Sequence, residues 1–160
     1  MDTDTQHQRA TSATSEHSLL ENLIQTKPRR SLVWRRGNAK LKENTIHLSI
    51  PAGHTCKPWA TECLAFADKD TGKITDGPEQ KFRCYAASME AIYKTHRNSL
   101  WNNYEILNEH IHEPVKLYKL LLHSVLPIIT QYVVDHEQWP KIRIFGTSGD
   151  FWHKNMYLAC

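Results

Sequence analysis

The chain has 160 residues, 40% of them hydrophobic and 23% charged, with a formal net charge of +3 at pH 7. That length suits one domain with a real core, and so small a charge does not by itself imply a nucleic-acid partner. Met1 to Ser18 holds no apolar run of the kind a signal peptide needs. The longest apolar stretch, Val115 to Val134, is interrupted by Lys116, Lys119, His123 and Gln131, so no membrane span is expected. A cytoplasmic setting follows, where cysteines are more often reduced, catalytic or metal-binding than bridged.

Residues 1–18 are rich in Thr, Ser, Gln and His and are expected to form a disordered tail, with a single domain over 19–160. Leu19, Leu20, Leu23 and Ile24 have helical spacing. Arg29, Arg30, Arg35 and Arg36 then form, with Lys40 and Lys42, a basic stretch around Trp34. Clustered cations of this kind can make weak contact with nucleic-acid phosphate, and a solvated strand with one aromatic anchor has the same composition. Thr45 to Ile50 alternates as a strand does and is broken by Pro51-Ala52-Gly53.

From His54 to Arg83 no period is sustained, which suggests a site-forming loop. Asp68, Asp70 and Glu79 are spaced like calcium-loop ligands, yet Gly72 and Ile74 each fall one place early, so a turn is expected there. Met89, Ile92, Tyr93, His96, Leu100, Tyr104, Leu107 and Ile111 predict one long helix with a single buried stripe, His96 being a packed core histidine. Pro114 can open the next helix, with Val115, Tyr118, Leu121, Leu122, Val125, Leu126 and Ile129 inward, and Pro127 should kink it or end it early. Ile142 to Phe145 reads as a second strand, parallel to the first because helices join them. Ser148, Gly149 and Asp150 form a loop at its carboxyl end, and Phe151 begins a further helix that stops at Cys160. Two strands and a cut helix cannot cover one another, so the domain is expected to be incomplete at its C-terminal end.

The chemical signal is Cys56 and Cys63, followed after twenty residues by Cys84 at a helix start. A helix amino end favours a thiolate. Three thiolates suit an iron–sulfur cluster, [4Fe-4S] with one iron open, or a zinc site with His54 as fourth ligand. Three ordinary buried cysteines are the plain alternative.

Asn38-Ala-Lys-Leu41, Leu48-Ser-Ile-Pro-Ala-Gly53, Thr55-Cys56, Asp68 to Pro78, Phe82-Arg-Cys-Tyr-Ala-Ala87 and Ser148-Gly-Asp-Phe151 occur in the order seen in a known family. Over residues 38 to about 155 the chain resembles the gene product 88 family of phage and actinobacterial proteins, which implies a host-cell cytoplasmic setting but no established activity. More loosely, the cysteines after one strand and Gly149 and Asp150 after another are similar to radical S-adenosylmethionine enzymes. That likeness implies an α/β fold, a partial parallel sheet with helices forming a truncated (β/α) barrel-like domain. It also implies that Ser148, Gly149 and Asp150 bind S-adenosylmethionine beside the cluster of Cys56, Cys63 and Cys84. The expectations are therefore an iron–sulfur radical-type enzyme; a zinc-stabilised nucleic-acid-binding module using Arg29, Arg30, Arg35 and Arg36; or a metal-free phage accessory protein acting through an interaction surface.

Overall fold

The computed structural model describes residues 30–38, 41–56, 64–78 and 84–145. The expected tail over 1–18, the short helix over 19–24 and the helix after Phe151 lie outside the described residues. Among those described, the order is β1 (Arg35–Arg36), β2 (Thr45–Leu48), β3 (Phe66–Ala67), β4 (Ile74–Thr75), α1 (Tyr85–Ile92), α2 (Lys94–Glu109), α3 (Pro114–His136) and β5 (Lys141–Ile144).

β2 is the centre of the molecule. Ile46 and Leu48, continued by Ile50, point to one face and Thr45, His47 and Ser49 to the other, and all six are buried. A strand covered on both faces is the usual setting for parallel pairing. β2 and β5 are indeed parallel, from Thr45 opposite Lys141 to Leu48 opposite Ile144. β1 pairs antiparallel on the other side of β2, giving an open sheet of order β1-β2-β5, while β3 and β4 form a separate hairpin.

This overturns the barrel-like expectation. A barrel needs a ring of tilted strands bonded from first to last. Here the chain just before β2 turns back at Gly37 and fills the side of β2 that another parallel strand would need, so β1 and β5 remain edges.

Two helices cover the Ile46–Leu48–Ile50 face. Leu48 and Ile50 pack with Leu32 against Ile106, Leu107 and Ile111, and against Leu117, Leu120 and Leu121 of α3. Ile46 meets Val125 and Tyr132 further along α3. Each such side chain, fully buried, stabilises the fold by roughly 1.5–3 kcal/mol. Asn103 on α2 joins the layers: its Oδ1 accepts from Val33 N at 2.7 Å, and its Nδ2 donates to the carbonyls of Val33 and Ser49, each at 3.0 Å.

The single long helix expected from Met89 to Ile111 is two helices, broken at Tyr93. Arg97 makes the break tolerable. Its buried guanidinium donates to the carbonyls of Glu90 at 2.7 Å and Ala91 at 3.3 Å, which the end of α1 leaves without helical partners, and its Nε donates to Lys69 O at 2.9 Å. The break also turns the buried stripe. Ile92 and Tyr93 are exposed, while Arg97, Leu100, Asn103, Ile106 and Leu107 face inward.

α3 opens on Pro114 as expected, but Pro127 does not end it. Pro127 is exposed, so its missing N–H costs one bond on the solvent side, and the Val125 and Tyr132 contacts hold the helix past it. Leu121 and Val125 lie inward as predicted; Val115, Tyr118 and Leu126 are exposed, and Leu117, Leu120 and Tyr132 are buried in their stead. By length and composition alone α3 could cross a membrane, yet here it supplies Leu117, Leu120 and Leu121 to the core.

The would-be calcium ligand Asp68 closes the β3–β4 hairpin. Its Oδ1 accepts from the N–H groups of Asp70 and Thr71 and from the Thr71 hydroxyl. Those bonds, Thr71 foremost, hold its carboxyl below the usual range. Gly72 takes φ +73° in the turn, where a Cβ would stand 2.5 Å from the Arg97 guanidinium.

Candidate functional site

The Pro51–Cys56 loop is folded on itself. The Thr55 hydroxyl donates to Pro51 O at 2.6 Å, and Gly53 N–H points to Cys56 Sγ at 3.3 Å. Gly53 has φ +74°, and a Cβ there would meet Ala65 O at 2.7 Å, so only glycine lets the loop lie against residues 65–66. His54 packs its ring on Phe66 (centroids 4.7 Å apart) and edge-on to Trp101 (4.9 Å). Burial lowers its pKa, partly offset by Asp68.

Cys84 stands at the N-cap of α1, as expected, and packs against the small cluster of Ala52, Ala65 and Ala87. Cys56 and Cys84 are not joined in a disulfide, and Cys63 lies outside the described residues. Among the described residues no group of three or more His, Cys, Asp or Glu side chains could hold a metal. The expectations of a [4Fe-4S] cluster with S-adenosylmethionine, and of zinc on His54, Cys56, Cys63 and Cys84, are corrected on that finding. The physical reason is visible at two of the residues: His54 is engaged by two aromatic rings, and Cys84 faces alanines. Ser148, Gly149 and Asp150, expected to bind the cofactor, lie outside the described residues.

A different group of residues converges on the other face of β2. Strand register sets Arg35 of β1 directly opposite His47 of β2, and His47 directly opposite Arg143 of β5. Directly paired residues project to the same face, neighbouring strands being about 4.8 Å apart. The three form a basic row across the whole sheet. With α1 and the start of α2 they line a cleft of about 800 Å³ that also includes His96, Tyr85, Met89 and Tyr93. Each helix turns its first residues toward this cleft, with no acidic residue in that turn and no side-chain cap. Helix amino ends carry partial positive charge, and that of α1 adds to the basic field, while that of α2 meets the carboxyl end of α1 at Tyr93.

His47 is the buried centre of the row, 2% exposed. Its Nε2 lies 3.3 Å from Gly37 O, and its buried Nδ1 has no hydrogen-bond partner. With Nε2–H donating to that carbonyl, Nδ1 is the unprotonated nitrogen. Burial pushes the His47 pKa down, the Gly37 bond opposes this, and the Arg35 and Arg143 guanidiniums lower it further. His96 is held below its ordinary value by burial, then by Arg35 and His47. No carboxylate enters either balance, and none of the ion pairs among the described residues involves Arg35 or Arg143.

The basic stretch seen in the sequence is thus divided. Arg30 is engaged by Glu105 and Glu109 at 3.1 and 2.9 Å, Arg36 lies 4.8 Å over the Tyr132 ring, and Arg29 lies outside the described residues. Only Arg35 joins the row. His47 and Arg143 were passed over in the sequence because each sits in a short strand like any surface residue; the signal that could have found them is that both strands carry a basic residue at the third position of a parallel pair. His96, expected as a packed core histidine, is only partly buried and lines the cleft.

No curated protein matches this chain, and no solved structure does. The open sheet leaves the looser likeness to radical S-adenosylmethionine enzymes without support. The family model of Gene product 88 matches residues 25–160, which include every element described above, and the chain belongs to the Gene product 88 family.

Proposed function

We propose that this chain is a binding protein whose partner presents phosphate or a similar oxyanion to the cleft over Arg35, His47 and Arg143. The observation that carries the reading is the basic row itself, unneutralised by any carboxylate in the structure described. Arg35 and Arg143 flank the neutral His47 from the strands on either side of it, and like charges gathered on one face of a sheet weaken it unless an anion lies between them. The buried Nδ1 of His47 supports the same reading, because once protonated it becomes an unpaired donor in a residue that lines the cleft. An arginine fork supplies paired donors that match a phosphate edge. This keeps the expectation of a protein acting through an interaction surface and moves its phosphate contact from the Arg29–Arg36 stretch to the sheet face.

The test is calorimetric titration of the full chain with inorganic tripolyphosphate at low salt. Binding should weaken as salt is added. Arg143→Glu should weaken it by about tenfold or more, since loss of a charged hydrogen bond removes about 1.5–3 kcal/mol. Lys116→Glu, an equal change in net charge on α3, should leave it unchanged. Absence of binding by the unsubstituted chain, or equal losses in the two variants, would sink the reading.

A further inference from the structure

The cleft has a second chemistry beside its charge. Tyr85 opens α1, Met89 lies one turn on and Tyr93 caps its carboxyl end, and all three line the cleft. The rise of eight residues separates the two tyrosine backbones by about 12 Å. They are unusually exposed for aromatic residues, Tyr85 by 61% and Tyr93 by 53%. The row of Arg35, His47 and Arg143 lines the same cleft. A simple oxyanion would use only that row and leave the tyrosines idle. The arrangement instead suits a ligand with charge along one edge and flat apolar groups along the other.

We infer that the ligand is single-stranded nucleic acid, its phosphates on the Arg35–His47–Arg143 row and its bases on Tyr93 and Tyr85. This rests on the anion-binding reading above and names its ligand class. A duplex has the same phosphates, but its bases are paired and stacked and offer no free face to a tyrosine. A single strand can splay its bases, and aromatic stacking is indifferent to base identity because every base has a flat face. The volume of about 800 Å³ falls within the range of roughly 300–1,000 Å³ usual for specific pockets. One or two nucleotides would therefore be held closely and the rest of the strand would lie outside.

The experiment measures fluorescence anisotropy of the full chain with three labelled probes. One is an oligothymidine of about twelve nucleotides, within the roughly 4–16 nucleotides of single-strand sites; the others are an abasic strand and a duplex of equal length. Oligouridine and inorganic tripolyphosphate serve as competitors. The oligothymidine should bind about tenfold more tightly than the abasic strand, the gain of one stacked base. Tyr93→Leu, and more so with Tyr85→Leu, should remove that preference while leaving tripolyphosphate affinity unchanged. Tyr93→Phe should keep it, which separates stacking from misfolding. Equal binding of oligothymidine and abasic strand, or preference for the duplex, overturns the inference and leaves the anion site standing. Loss of tripolyphosphate binding altogether, or its insensitivity to Arg143→Glu, overturns the site beneath it. Oligouridine should displace the labelled oligothymidine, since both present flat bases and phosphates; no displacement by excess oligouridine would overturn the stacking account.

Discussion

Glu90 lies in α1 with no exposed surface, its Oε1 accepting from Ala52 N at 2.9 Å and its Oε2 without a partner. Burial raises its pKa from 4.5 to about 7, against the opposing pull of the Ala52 bond and Arg97. Below pH 4.5 the group is protonated whether the chain is folded or not, and no penalty arises. As pH rises from there to about 7, the unfolded chain gives up its proton and the folded chain keeps it, so stability falls. The full loss is about 3 kcal/mol above that window, by the conversion of 1.36 kcal/mol per pKa unit. Glu90→Gln should therefore raise stability by about 3 kcal/mol near pH 8 and leave it unchanged near pH 4. Urea unfolding at the two pH values checks this. An equal effect at both would mean that the carboxyl is not the titrating group.

At the scale of elements, α2 is held to the sheet by packing and by one amide. Asn103 is 1% exposed and its three hydrogen bonds reach both Val33 and the end of the β2 segment at Ser49. Truncation would leave a buried donor and buried carbonyls unpaired. Asn103→Ala should cost about 3 kcal/mol, seen as a lower urea midpoint at unchanged slope. Asn103→Asp should be no better, because a carboxylate cannot donate to the Val33 and Ser49 carbonyls. The helix break at Tyr93 belongs to the same scale. Sequence periodicity ran straight through it because Leu100, Tyr104, Leu107 and Ile111 keep a helical step with Met89. What sustains the break is Arg97, which reaches a carbonyl at the end of α1 and, across the fold, that of Lys69 in the hairpin turn. No local pattern announces that.

Taken whole, the molecule gathers its basic groups from four elements around one cleft: Arg35 from β1, His47 from β2, Arg143 from β5 and His96 from α2, with Tyr85 of α1 and Tyr93 at its end lining the same cleft. Both histidines have lowered pKa values. The empty fold therefore favours their neutral forms, a contribution present above about pH 6.5 and lost as pH falls through the depressed folded values. A bound anion reverses the balance by favouring the imidazolium, so binding takes up protons. Affinity for sulfate, whose charge is constant over this range, should rise as pH falls from about 8 to about 5.5, and His47→Gln together with His96→Gln should flatten that rise. A pH-independent affinity in the unsubstituted chain would place the anion away from the histidines.

The sequence by itself determined the local and the short-period features. Ile46 to Ile50 and Ile142 to Phe145 were legible as strands, and their parallel pairing followed from the helices between them. Pro114 marked a helix start, Asp68-Lys-Asp-Thr-Gly72 a turn, and the ordered motifs pointed to the Gene product 88 family. These rest on backbone sterics, hydrogen-bonding side chains and alternation, which neighbouring residues settle among themselves. Which face of α3 turned inward was not settled, because apolar residues surround it and only the position of β2 selects Leu117, Leu120 and Tyr132. The open sheet was decided by β1 folding back onto β2, and the fate of Cys56 and Cys84 by what packs against them. The candidate site was the least legible part. Arg35, His47, His96 and Arg143 are far apart in the chain and belong to no motif, and it is strand register, a tertiary property, that sets them in one row.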